Sequence, residues 1–189
     1  MDTLITTKLP KYATVLKGLE PEVCDAIVSH FVNSDKKESV NDNGYPTFTQ
    51  LNLNDHYPEM VKYLVNATRE LYIQYIDLYD EVEEYLPPFK KLESFRVKRY
   101  NSNSDDRFDM HVDVASTPAS PRALSFLYYL NDDFEGGETH FEGWQKIIPK
   151  KGNVIVFPPY WMFPHAGLPV IKGTKYIMST YLHVYDQRD

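Results

Sequence analysis

The chain has 189 residues, 42% hydrophobic and 14% aromatic, with 20 Lys and Arg against 27 Asp and Glu for a net charge of -7. This composition fits one globular domain and excludes a disordered chain. The scattered basic residues lack the positive stripe of a nucleic-acid reader, and one cysteine, Cys24, excludes an intramolecular disulfide or a cysteine-based zinc site.

The opening segment, MDTLITTKLP, lacks the basic region and apolar run of a signal peptide. No stretch approaches the roughly 18 apolar residues of a membrane span. The expectation is a cytoplasmic protein of microbial or viral type, with no membrane partner; the oligomeric state is not readable. Residues 21–32 place Val23, Ile27, Val28 and Phe31 at helical spacing, with Pro21 at the first helical position and Cys24 on the buried face. Residues 33–50 read as a polar loop with a hairpin. Residues 57–80 form the clearest helix, repeating Val61, Leu64, Val65, Thr68, Leu71, Tyr72 and Tyr75. Asn54 or Asp55 is expected to cap it, Pro58 suits its first turn, and Pro87-Pro88 forbids its continuation. Residues 1–88 are thus expected to be a helical support region.

From Phe89 the apolar period changes to two, or to short runs. Strands are expected at 91–100, 108–114, 123–130, 138–141, 144–148, 153–157, 162–165 and 175–184, separated by Pro, Gly, Asn and Asp clusters. The predicted fold is mainly β, a sandwich or jelly roll over 89–185, braced by the N-terminal helices in one domain spanning 1–189.

An H-x-D triplet alone is weak evidence of a metal site. On an extended segment, however, residues i and i+2 share a face, so His111 and Asp113 can reach one ion while Val112 turns away. His165 follows an apolar strand that ends in Pro158-Pro159, a bend that can return the chain beside the first two. Two imidazoles and one carboxylate form the facial triad of non-haem Fe(II) oxygenases. Lys175 shares a strand face with Ile177, Ser179 and Tyr181, where a lysine is expensive to bury without an anion; a dicarboxylate held at the metal would supply one. A rival set, His140, Glu142 and His183, sits in a Gly-rich turn with no following cation and ranks below the first.

The motifs, in order, are RY at 99–100, HVD at 111–113, YYLN at 128–131, EGGETHF at 135–141, PKKGNVIVFPP at 149–159, His165, and GTKY at 173–176. This series resembles the prolyl 4-hydroxylase-like branch of the Fe(II)/2-oxoglutarate dioxygenases, over roughly 89–185 and more faintly at 12–32. The resemblance implies a double-stranded β-helix, with Fe(II), 2-oxoglutarate and O2 as cofactors and ascorbate as reductant. It assigns His111, Asp113 and His165 to the iron and Lys175 to the C5 carboxylate of 2-oxoglutarate. Tyr129 and Tyr100 match co-substrate tyrosines, and Ser179 a polar residue beside the co-substrate. Tyr181 matches an aromatic that closes the iron pocket, and Arg122 a basic residue that touches substrate. Lysine rather than arginine at 175 is similar to the collagen-type enzymes and unlike the DNA-repair demethylases.

The implied reaction is hydroxylation of a prolyl residue in a peptide or protein. Trp144, Trp161 or Tyr45 could pack on the pyrrolidine ring, and the acidic balance favours a basic peptide. The rivals are an oxygenase acting on a free amino acid or other small molecule, a non-catalytic metal-binding jelly roll, and a purely structural one. The intact triad and lysine argue against the last two.

Overall fold

A computed structural model describes residues 9–41 and 46–184; Tyr45 lies outside them. In chain order the elements are β1 (Thr14–Lys17), α1 (Pro21–Asn33), β2 (Glu38–Asn41), β3 (Thr47–Asn52), α2 (Pro58–Leu78), β4 (Arg96–Asn101), β5 (Phe108–His111), β6 (Arg122–Tyr129) and β7 (Glu135–Gly136). There follow β8 (Thr139–Phe141), β9 (Lys146–Ile147), β10 (Asn153–Phe157), β11 (His165–Gly167), β12 (Val170–Lys172) and β13 (Thr174–His183). A seven-stranded sheet runs β1-β10-β6-β13-β4-β3-β2, a four-stranded sheet runs β5-β11-β8-β9, and β12 pairs with β7. All the pairings are antiparallel.

The central strands of the large sheet are apolar on both faces because both faces are covered. On β10, Val154 and Val156 enter a core with Cys24, Ile27 and Phe31 of α1 and Leu64, Leu71 and Tyr75 of α2. Ile155 and Phe157 point the other way, into a second core with Phe141 and Ile147 of the small sheet. The helices present this face because their buried residues recur at three and four: Cys24, Ile27 and Phe31, then Leu64, Thr68, Leu71 and Tyr75. Thr68 is buried at no cost in unmet polarity, since its hydroxyl reaches the Leu64 carbonyl (2.6 Å) and the Tyr128 hydroxyl (2.7 Å). Each fully buried Phe or Leu in these layers stabilises the fold by roughly 1.5–3 kcal/mol.

Three features depart from the sequence expectation. Residues before 89 are not simply helical: the hairpin expected within 33–50 is β2–β3, and with the unexpected β1 it joins the large sheet; runs of four to six residues are too short to show a period. The expected cap of α2 is absent. Tyr57 holds that position without a side-chain bond, since Asn54 Oδ1 accepts Phe95 N–H (2.8 Å) and Asp55 accepts from Asn52 (2.7 Å). The strand expected at 162–165 begins only at His165, because Pro158, Pro159 and Pro164 withhold ladder donors. Among the described residues, no helix is long and apolar enough to cross a membrane.

Candidate active site

The small sheet brings the candidate ligands together. β11 pairs with β5 so that His165 lies opposite His111, and the imidazole centroids are 4.4 Å apart. Asp113 follows β5 in a turn pinned to the Pro158-Pro159 bend by Val114 N–H donating to the Pro159 carbonyl (3.0 Å). One ligand atom from each of His111, Asp113 and His165 lies within 4.8 Å of the others. His111 Nε2 is 3.6 Å from Asp113 Oδ1, and His165 Nε2 is 3.9 Å from Asp113 Oδ2.

The backbone fixes both tautomers. His111 Nδ1 lies 2.7 Å from the Asp109 carbonyl, and His165 Nδ1 lies 3.1 Å from the Phe163 carbonyl. A carbonyl only accepts, so each Nδ1 carries the proton and each Nε2 presents a lone pair to the centre. Burial pushes the Asp113 carboxyl up, but His165, His111 and the Tyr181 hydroxyl outweigh it and bring its pKa down to about 2. Burial holds His165 below the ordinary imidazole range. An ionised carboxylate and a neutral imidazole are the protonation states that bind metal. Asp113 Oδ2 is buried with no hydrogen-bond partner among the described residues, an orphaned acceptor that a cation would satisfy. The donor set therefore fits a divalent metal.

Behind the ligands, β13 carries Lys175, Ile177, Ser179 and Tyr181 along one wall of a cavity, as the alternation predicts. Lys175 is 3% exposed. Its ammonium donates to the Gly137 carbonyl (2.6 Å) and lies 5.8 Å and 5.7 Å from the Tyr100 and Tyr129 rings. Burial lowers its pKa to about 8, against the pull of Glu138. One neutral acceptor for a buried ammonium leaves room for an anion. Gly137 is held at φ +67°, and a Cβ there would come within 3.1 Å of Lys175 Cδ, so glycine is what lets this carbonyl approach the lysine.

The remaining predicted site residues divide. Tyr100 and Ser179 line the cavity. Tyr129 is buried behind it, and its hydroxyl donates to Thr139 Oγ1 (2.6 Å), so Thr139 is the residue at the cavity wall. Tyr181 lines the cavity beside the His111, Asp113 and His165 cluster and donates to Asp113 Oδ1 (2.9 Å). Arg122 borders an outer groove, but its side chain is committed. It bonds Glu93 through Nε (2.7 Å) and Nη2 (3.1 Å), donates to the Asp113 carbonyl (3.0 Å), and lies 3.9 Å from the centroid of the Tyr181 ring. Trp161 is 76% exposed and lines neither cavity nor groove, because the proline bend turns it outward. The rival set does not assemble: His183 is bonded to Glu93 (2.9 Å), and His111, Asp113 and His165 are the one such cluster among the described residues.

Sequence reasoning missed Glu93, Lys98 and Thr139. Glu93 is the hub for Arg96, Arg122 and His183. Burial pushes its carboxyl up, and the bonds from Arg122 and His183 outweigh this, bringing it to about 2. Lys98 and Thr139 carried one available signal, their positions on strand faces shared with Tyr100 and Phe141.

Residues 95–183 match the model of the 2OG-Fe(II) oxygenase superfamily. Probable prolyl 4-hydroxylase 9 of Arabidopsis thaliana is 32% identical over 51% of this chain and 43% of its own length. The chain thus spans under half of that relative. A viral collagen prolyl hydroxylase from Paramecium Bursaria Chlorella virus-1, solved as a 2OG complex, superposes with a TM-score of 0.68 at 23% identity, covering 93% of this chain and 97% of that one. A Trichoplax adhaerens prolyl hydroxylase, solved with a hypoxia inducible factor peptide fragment, has a TM-score of 0.71 at 15% identity, covering 91% and 83%. The fold of these mainly β structures is the fold of this chain.

Proposed function

We propose that this chain, which belongs through residues 95–183 to the prolyl 4-hydroxylase-like 2OG-Fe(II) oxygenases, hydroxylates a prolyl residue in a peptide or protein and converts 2-oxoglutarate to succinate and CO2. The observation that carries the reading is the pairing of Asp113, whose Oδ2 is orphaned and whose carboxylate clusters with the two histidines, with a buried Lys175 ammonium in the same cavity.

His111, Asp113 and His165 hold Fe(II), which with 2-oxoglutarate and O2 supplies the oxidising chemistry at an unactivated C–H bond. The Asp109 and Phe163 carbonyls keep the two imidazoles aimed at the metal. Lys175 binds the C5 carboxylate of 2-oxoglutarate, and the Tyr100 and Thr139 hydroxyls orient it. Tyr129 acts through Thr139, and Ser179 stands beside the co-substrate. Phe108, Leu127, Phe157 and Ile177 make the walls apolar and exclude water from the reacting bond. The peptide lies in the outer groove bordered by Gln50, Arg96 and Arg122. Ascorbate serves as the reductant in the assay.

The test is succinate release from 2-oxoglutarate with Fe(II) and ascorbate, with and without proline-rich peptides. Peptide-stimulated succinate together with a product heavier by one oxygen atom establishes the reading. Succinate without peptide stimulation replaces the peptide by a small molecule, and loaded protein with no turnover rejects an enzyme.

A further inference from the structure

Lys98 stands where the inner cavity opens into the outer groove and lines both, together with Asp113, Ser179 and Tyr181. It comes from β4, whose alternation puts Arg96, Lys98 and Tyr100 on the site-facing side. The other cations of the site have partners. Arg96 and Arg122 are bonded to Glu93 (3.1 Å and 2.7 Å), and Lys175 to the Gly137 carbonyl. Among the described residues, no carboxylate lies within ion-pair reach of the Lys98 ammonium. Its near neighbours are the rings of Phe48 and Phe108, with centroids at 5.2 Å and 5.7 Å. Aromatic faces attract a cation at this range but offer no hydrogen-bond acceptor.

Burial lowers the lysine's affinity for its proton, and the field of Asp113 opposes that. The chain as a whole is acidic, yet Arg96, Lys98 and Arg122 at the groove outnumber Asp113 and the Glu93 that pairs the two arginines, three charges to two. Local charge at the entrance is therefore opposite in sign to the average, and local charge selects the ligand.

We propose that Lys98 anchors a substrate carboxylate, so that the target proline is taken from an acidic sequence with Asp or Glu close beside it. The inference rests on the prolyl hydroxylase reading and names its substrate class. A carboxylate of 2-oxoglutarate is the competing anion. The groove position favours the peptide, since Lys175 and Thr139 line the inner cavity but not the groove.

The experiment compares wild type with Lys98→Met and Lys98→Glu, using labelled proline peptides that differ only by Glu, Gln or Lys beside the proline. Binding is read by fluorescence anisotropy on Mn(II)-loaded protein with 2-oxoglutarate under argon, and turnover by mass on Fe(II)-loaded protein. Wild type should bind the Glu peptide about tenfold more tightly than the Gln peptide, the factor of one charged hydrogen bond. Lys98→Met should erase the difference, and Lys98→Glu should favour the Lys peptide. Equal affinities in wild type, a Glu preference that survives in Lys98→Met, or a loss confined to 2-oxoglutarate affinity overturns the proposal. Glu-dependent binding without an oxygen-bearing product rejects the hydroxylase reading and keeps the anion site. Hydroxylation of all three peptides alike does the reverse, and no binding of any peptide rejects both.

Discussion

The Tyr181 hydroxyl donates to Oδ1 of Asp113 at 2.9 Å, while Oδ2 of the same carboxylate is buried without a partner among the described residues. One oxygen is held by the protein, and the other is the acceptor that a metal would take under the proposed function. The carboxylate is thereby oriented before any ion arrives, which lowers the reorganisation needed for binding.

Tyr181→Phe removes that bond and keeps the ring under Arg122. Metal affinity, titrated with Mn(II), should fall about tenfold, at the lower end of what losing an outer hydrogen-bond partner costs a metal site. Saturating metal at a hundred times its Kd should stabilise wild type by about 2.7 kcal/mol, read as a rise in Tm. Asp113→Ala should abolish this stabilisation. An unchanged Mn(II) affinity in Tyr181→Phe would show that the hydroxyl does not orient the carboxylate.

Lys175 is costly to the empty fold. Its pKa is lowered by burial to about 8, so the penalty is complete below pH 8, where folded and unfolded chains are both protonated. It is relieved as pH rises from there toward the unfolded value near 10.5, because the unfolded chain then holds the extra proton. Lys175→Met should leave the metal-free protein as stable as wild type or more stable by up to about 1 kcal/mol, part of the gain being lost as the Gly137 carbonyl loses its donor. The advantage should be largest below pH 8 and shrink above it in thermal melts. Affinity for 2-oxoglutarate should fall by at least about tenfold, the loss of a charged hydrogen bond. A variant that is less stable but binds 2-oxoglutarate normally contradicts the assignment.

Tyr129 and Thr139 should behave as one unit. The tyrosine hydroxyl donates to Thr139 Oγ1 (2.6 Å), which leaves the threonine proton free to point into the cavity. Tyr129→Phe and Thr139→Val should each raise the KM for 2-oxoglutarate by about fivefold, close to one neutral hydrogen bond. The double variant should be scarcely worse than either alone, because residues in one network do not add. Full additivity in the cycle would mean that the two hydroxyls contact the co-substrate separately.

The clustering of His111, Asp113 and His165 was legible because its information is local: H-x-D on an extended segment fixes a shared face, and the alternation of Lys175, Ile177, Ser179 and Tyr181 fixes another. The wall composed by β13 follows from the same rule. Glu93 was not legible. Its partners Arg96, Arg122 and His183 stand 3, 29 and 90 residues away, and only the sheet order β6-β13-β4 brings them together. Tyr129 marks a further limit, since the match with co-substrate tyrosines cannot show that its hydroxyl is taken by Thr139. The shortest strands, β7 and β9 at two residues each, carry no period at all. They form because neighbouring strands offer them a ladder.

The Glu93 hub should set the acid limit of the fold. Glu93 is largely buried, with a side chain 12% exposed in its ion pairs, and its pKa is about 2 against the ordinary glutamate value of 4.5. A carboxyl depressed by folding contributes its stability fully above the unfolded pKa, and loses it as pH falls from about 4.5 toward 2. The size of the shift corresponds to at most about 3 kcal/mol at neutral pH. Glu93→Gln should therefore destabilise the protein by about 2–3 kcal/mol at pH 7, since Arg122 and His183 lose their anion. It should also flatten the decline in stability between pH 4.5 and 2.5. Urea melts across this range separate the two effects. Arg122 still donates to the Asp113 carbonyl, so metal affinity should change little while peptide affinity falls as the guanidinium loses its seat. A variant that loses metal and peptide together would make the hub part of the metal centre. A variant with the wild-type acid slope would place the acid limit in Asp113 alone.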